Sequence, residues 1–236
     1  MNNRYPMETL EEKIGYKFKD RNLLLTALTH SSYKNEAEGE GRDDYERQEF
    51  LGDAVLELVS SDFLFSHYPD MREGEMTKLR ASLVCEPTLA ESAKEFSLSD
   101  YIFLGRGEDR QDSRNKDSIV SDVFEALIGG IFLDSGIESA KEFIYRFVLN
   151  DIEHKTLFTD SKSKLQDVVQ AEGWTLEYKL VDESGPEHMK CFTMAAVING
   201  TEQARAKGSS KKNAEQKAAY ECLKKLDEDE EDRGNN

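Results

Sequence analysis

Residues 45–58 read YERQEFLGDAVLEL. On a helix turning 100° per residue, Glu46, Glu49 and Asp53 fall at relative angles of about 0°, 300° and 340°, while Phe50, Leu51, Ala54, Val55 and Leu58 lie between about 40° and 180°. Three acids therefore share a narrow stripe beside a face expected to be buried. Like charges at this spacing destabilise an isolated helix by roughly a few tenths of a kcal/mol per pair, and by more where water is excluded. Something positive is expected there.

A second stretch, DSIVSDVFEALIGGIFLD from Asp117, repeats the device. Asp122 and Glu125 stand three apart on one helix face with Ser118, Ser121 and Gly129, and Val123, Leu127 and Ile131 face the other way. Small neighbours leave room for a hydrated ion, or for a backbone or ligand to approach. Four or five carboxylates with no His or Cys nearby are hard ligands, suited to Mg²⁺ or Mn²⁺ and not to zinc. Spacing alone leaves a metal site and a solvated acidic surface both open.

Outward from these segments, apolar residues recur at three- and four-residue steps from Leu10 to about Lys155, as in Met76, Leu79 and Leu83, which predicts an all-helical domain. Polar, Gly-bearing breaks at Glu36–Asp44, Tyr68–Gly74 and Gly105–Asp117 separate its helices. The period then changes. After a polar junction, Leu165, Val168 and Val169 mark a short helix; Leu176, Tyr178 and Leu180, then Phe192, Met194, Ala196 and Ile198, alternate as strands do. A third short run, Glu202 to Ala206, precedes a long helix whose inner stripe is Ala214, Ala218 and Cys222, small enough to lie close against a sheet. The expected division is a helical domain over 1–155, a linker over 156–161, an α-β-β-β-α module over 162–227 and a disordered acidic tail over 228–236.

The chain has 236 residues, 38% of them apolar and 33% charged, which excludes collagen-like and wholly disordered classes. No stretch reaches the ~18 uncharged apolar residues of a membrane span and the opening residues have no apolar signal core, so no membrane partner and a cytoplasmic location are expected. Cys85, Cys191 and Cys222 fit neither a disulfide framework nor a CxxC metal site. The net charge of −17 at first argues against nucleic acid, but it is uneven. Residues 1–160 carry 19 Lys+Arg against 33 Asp+Glu, 161–226 carry 11 against 9, and 227–236 carry 1 against 6.

The motif ERQEFLGDAVLEL resembles the signature of the ribonuclease III family. The resemblance continues through ALTHSSY at 27–33, EGEMTKLRASLV at 73–84 and SDVFEALIGGIFLDSG at 121–136. It implies an endonuclease of the bacterial type, with one catalytic domain and one double-stranded RNA-binding domain. Such an enzyme processes ribosomal RNA precursors, mRNA and other structured RNA. It acts as a homodimer, with Mg²⁺ as cofactor and Mn²⁺ able to substitute, and leaves 5′-phosphate and 3′-hydroxyl ends with short 3′ overhangs. By motif position, Glu49, Asp53, Asp122 and Glu125 take the metal-binding roles, Asp53 and Glu125 the catalytic ones, Glu46 that of an outer acid, and Phe50 that of a dimer contact. A bound divalent ion lowers the pKa of its water from 15.7 toward ~7, so no nucleophilic Ser, Cys or His is required. Arg106, Arg110, Arg114 and Lys116 are candidate backbone contacts in the loop before the second acid pair. His30 is read as a structural histidine.

The segment from about Lys162 to Leu226, with GSSKKNAEQKAA, resembles a double-stranded RNA-binding domain, in which Gln166, His188, Lys211 and Lys212 occupy the RNA-contacting positions. The lysines carry an independent argument. They sit in the first turn of a helix, where the dipole end is already positive and acids are favoured, and a phosphate resolves that conflict. Two rival readings fit less well. A catalytically dead RNA-binding scaffold has no reason to keep four repelling acids together. A helical nucleotide phosphohydrolase would need His ligands, and the four His of the chain are not paired with neighbouring Asp.

Overall fold

The computed structural model describes residues 6–36, 43–111, 113–185, 190–208 and 210–234, excepting the side chains of residues 154, 159 and 227–234. It divides into two compact units, Met1–Ile152 and Glu153–Asn236.

The first unit is helical: α1 (Met7–Ile14), α2 (Arg21–Ala27), α3 (Ser31–Glu36), α4 (Glu46–His67), α5 (Glu73–Val84), α6 (Glu86–Lys94), α7 (Arg106–Arg110), α8 (Asp117–Ser135) and α9 (Ile137–Phe147). The apolar run of α8 is its centre. Val123, Phe124, Ala126, Leu127, Ile128 and Ile131 are buried, and the helix packs against α2, α4, α6 and α9. A helix apolar nearly all round has to lie inside the domain.

Helices α4 and α8 touch backbone to backbone at two glycines. A Cβ built on Gly52 would stand 1.8 Å from the carbonyl oxygen of Glu125, and one on Gly129 would stand 2.1 Å from that of Gln48. Only residues without a side chain allow that approach. The crossing bears out one expectation and corrects another. Gly129, small as expected, is the place where a backbone approaches, that of α4, and the space there goes to Gln48 and not to an ion. The buried seam of α4 is rotated from the face expected, running through Gln48, Gly52, Val55, Leu56 and Val59. Phe50, Leu58 and Phe65 are instead 81%, 62% and 74% exposed. The helix turns toward α8 the edge that carries Gly52, and buries Val55, Leu56 and Val59 in place of Phe50 and Leu58.

The second unit comprises α10 (Ile152–Ala171), β1 (Leu176–Ser184), β2 (Cys191–Ile198), β3 (Thr201–Gly208) and α11 (Lys211–Gly234). The strands form one antiparallel sheet in the order β1-β2-β3. Its core gathers Leu165 and Val169 of α10, Ala196, Ile198 and Ala204 of the sheet, and Ala218, Ala219, Cys222 and Leu223 of α11. The β2–β3 turn is Asn199–Gly200, both at positive φ (50° and 79°), as a two-residue hairpin with right-handed strand twist requires.

Two stretches depart from expectation. Residues 156–161, read as a linker, are helical within α10: buried Ser161 donates its hydroxyl to the Gln216 carbonyl at 2.8 Å, and Lys162 pairs with Glu215 at 2.5 Å. Its polar residues are there to meet α11. The acidic stretch from 228, read as disordered, continues α11 as far as Gly234, in keeping with the low cost of extending a helix once it is nucleated. Cys222 is buried, whereas Cys85 and Cys191 are only partly covered, and all three are free thiols. No described helix is long and apolar enough to cross a membrane.

Candidate active site

The glycine crossing places Glu49 and Asp53 of α4 against Asp122 and Glu125 of α8. Gly52 pins the backbone of Glu125 itself, so the neighbouring acids of the two helices meet whatever their charge. Burial and then Asp53, Glu49, Asp122 and Glu57 push the Glu125 carboxyl up to about 8. Burial and then Asp122, Glu46 and Asp53 push Glu49 up to about 7. Burial also raises Asp122, opposed by a hydrogen bond from the Tyr45 hydroxyl at 3.3 Å. The neighbours that raise Glu49 and Glu125 are all carboxylates, so the cluster holds its charge at a cost that a bound cation would offset.

The donor set is all oxygen and suits a hard divalent ion. Among the described residues, however, no three Asp, Glu, His or Cys side chains are already assembled as ligands. The acids fit such an ion by their chemistry, and side-chain rotation would have to bring them together as ligands. Glu46 is exposed on the first turn of α4 beside them. His30 is lowered by burial, and its Nδ1 lies 2.8 Å from the Ser32 hydroxyl, in keeping with a structural role.

In the loop before α8, Arg106 and Arg110 are exposed, and Lys116 is half-buried with a 3.7 Å pairing to Glu108. Arg114 is a correction. It is buried and donates to the Ser99 and Ile102 carbonyls and to Asp109, so it braces the loop and offers RNA nothing. In the second unit, Gln166 is exposed on α10 and Lys211 and Lys212 are exposed in the first turn of α11. His188 lies outside the described residues. Ser210, not singled out in the sequence, caps α11 by accepting from the Asn213 N–H at 3.1 Å.

The ribonuclease-III-like family model matches residues 20–152, and the double-stranded RNA binding motif matches 161–226. The chain belongs to the ribonuclease III family. Its relatives include a protein named ribonuclease 3 from Bacillus cereus, 45% identical over 95% of this chain and 93% of that one. Another of that name, from Listeria monocytogenes, is 45% identical over 93% and 97%. Among solved structures, the nuclease domain of ribonuclease III from Campylobacter jejuni is 42% identical, with a TM-score of 0.56 over 61% of this chain and 96% of that one. As a member of the ribonuclease III family with an RNA-binding motif, the chain is a double-strand-specific endoribonuclease, and enzymes of the ribonuclease III family are generally dependent on divalent metal.

Proposed function

We propose that Glu49, Asp53, Asp122 and Glu125 hold Mg²⁺, with Mn²⁺ able to replace it, and that the chain cuts RNA duplexes as a cytoplasmic homodimer. The natural substrates on this reading are ribosomal RNA precursors, mRNA and other structured RNA. The observation that carries it is the meeting of these carboxylates across the Gly52–Gly129 crossing, where each raises the other's affinity for positive charge. When bound, the ion supplies activation of a water and stabilisation of charge on the leaving oxygen. The chain's part is to hold position. Asp53 and Glu125 flank the crossing and would hold the ion in place, and Glu46, one turn from Glu49, adds negative charge at its outer side that a bound cation would offset.

The dimer is supported by the exposed Phe50, Leu58 and Phe65, which share one face of α4. The acid stripe lies between that face and the seam with α8, so a second copy seated on Phe50 would bring two acid clusters alongside one another. The nuclease domain of the Campylobacter jejuni protein has a region involved in dimer formation, and in that protein the region is structurally flexible.

Gln166, His188, Lys211 and Lys212 take the duplex in the second unit. Such modules read A-form shape and 2′-hydroxyls across two minor grooves. At the start of α11, free N–H groups, the helix dipole and two ammonium groups converge on one anion. Lys211→Ala/Lys212→Ala is expected to weaken RNA binding and to flatten its log–log salt dependence by roughly 1 per lost phosphate contact. An unchanged slope in filter binding would remove these lysines from the interface.

The decisive assay is a gel of an end-labelled perfect RNA duplex incubated with the chain. Mg²⁺ should yield short duplexes with 5′-phosphates and 3′ overhangs, and EDTA should stop the reaction. Cutting that persists in EDTA would defeat the metal reading.

A further inference from the structure

We infer that Tyr45 is a positioning residue for Asp122, its hydroxyl aiming that carboxylate into the acid cluster. The inference rests on Asp122 being a metal ligand. Tyr45 is 5% exposed, a depth at which a phenolic hydroxyl needs a partner. Its hydroxyl donates to Asp122 Oδ2 at 3.3 Å, across 77 residues of chain. This is longer than the usual ~2.7–2.8 Å bond between oxygens and correspondingly weak, which leaves the carboxylate its charge and free lone pairs for a cation.

The ring is itself held. The Tyr45 N–H donates to the Thr29 carbonyl at 2.9 Å, and the ring lies 5.7 Å from that of His30 at 59°. His30 is fixed in turn by its N–H to the Phe103 carbonyl at 3.0 Å and by Ser32. This chain of contacts ties the ALTHSSY segment to the acid cluster. Packing alone would be served as well by phenylalanine. Among the described residues, Asp122 is the partner that accounts for the hydroxyl.

Tyr45→Phe keeps the ring and removes the oxygen. The test titrates Mn²⁺ into the RNA-free protein, following the free-ion signal by electron paramagnetic resonance, for the parent, Tyr45→Phe, Asp122→Asn and the double variant. Tyr45→Phe is expected to bind Mn²⁺ about 10-fold more weakly, the scale for losing an outer partner of a ligand. Its kcat on duplex RNA should fall at low Mn²⁺ and recover at high Mn²⁺, with KM for RNA unchanged. Adding Tyr45→Phe to Asp122→Asn should change nothing further. Parent-like Mn²⁺ binding by Tyr45→Phe beside weak binding by Asp122→Asn would overturn the role of Tyr45 alone. So would a further loss in the double variant, which would assign the tyrosine to the fold. Parent-like binding by Asp122→Asn would instead refute Asp122 as a ligand.

Discussion

Glu125→Gln is expected to bind a long RNA duplex as tightly as the parent chain and to cut it at least about 10²–10³-fold more slowly, the scale for removing one preorganised electrostatic group from an active site. The amide keeps the size and one oxygen of the side chain and discards its charge. Glu125 is the acid whose carboxyl is pushed highest, to about 8, by burial and by Asp53, Glu49 and Asp122, so its charge is the one that most needs a cation beside it. RNA binding should survive because the substitution leaves untouched the exposed Lys211 and Lys212, the RNA contacts proposed above. Single-turnover cleavage in Mg²⁺ beside an electrophoretic mobility assay separates the two effects, and near-normal turnover would sink the assignment.

The same substitution should move stability the other way. A carboxyl whose pKa is raised on folding binds its proton more tightly in the folded state, so its favourable contribution is present below about pH 4.5 and is lost as pH rises toward about 8. Glu49, raised to about 7, follows the same sign over a narrower window. Without divalent ions, the melting temperature of Glu125→Gln should therefore exceed that of the parent by a margin that grows from about pH 5 to about pH 8. A divalent ion should close the gap by stabilising the parent, since it binds the folded cluster and not the unfolded chain. Loss of activity with gain of stability distinguishes a functional charge from a structural one.

The acids were legible in the sequence because a helical period puts Glu46, Glu49 and Asp53 on one stripe whatever surrounds them. Which face of α4 is buried was not. Hydrophobicity favours a face centred on Phe50, Ala54 and Leu58, yet of the expected set it is Val55 that is buried, with Gln48, Gly52, Leu56 and Val59, because backbone contact with α8 requires a residue without a side chain at the crossing. Gly52, inside the signature itself, was the available signal: a glycine costs helix stability and asks for a packing reason. Arg114 misled for a related reason. Charge reads as surface in a polar loop, and only the fold reveals that the Ser99 and Ile102 carbonyls point at its guanidinium. The segment at 156–161 reads as a polar junction because isolated residues anchor it and no apolar period does, Phe158 lying edge-on to Tyr220 and Ser161 bonding to the Gln216 carbonyl of α11. Conversely, the Asn199–Gly200 pair carried a hairpin signal that the alternation on either side did not need.

Gly52→Ala is expected to destabilise the first unit by about 3 kcal/mol or more, at the severe end for overpacking. Helix propensity points the opposite way, favouring alanine by about 1 kcal/mol in a helix interior. Geometry decides. The new methyl group would stand 1.8 Å from the Glu125 carbonyl oxygen, 2.7 Å from its carbon and 2.9 Å from the Gly129 nitrogen. These are backbone atoms of a buried helix and cannot rotate aside, so α4 and α8 have to separate along their whole seam. At about 2–4 °C per kcal/mol for a domain of this size, the melting temperature should drop by roughly 10 °C. Gly129→Ala, 2.1 Å from the Gln48 carbonyl oxygen, should behave alike, while Gly74→Ala, with nothing within 4 Å in helix α5, should be neutral or slightly stabilising. Thermal melts of the three variants check this. Should Gly52→Ala melt with the parent, the two helices do not cross at their glycines. Nothing would then force Glu49 and Asp53 against Asp122 and Glu125, and the affinity of this chain for a divalent ion would need another origin.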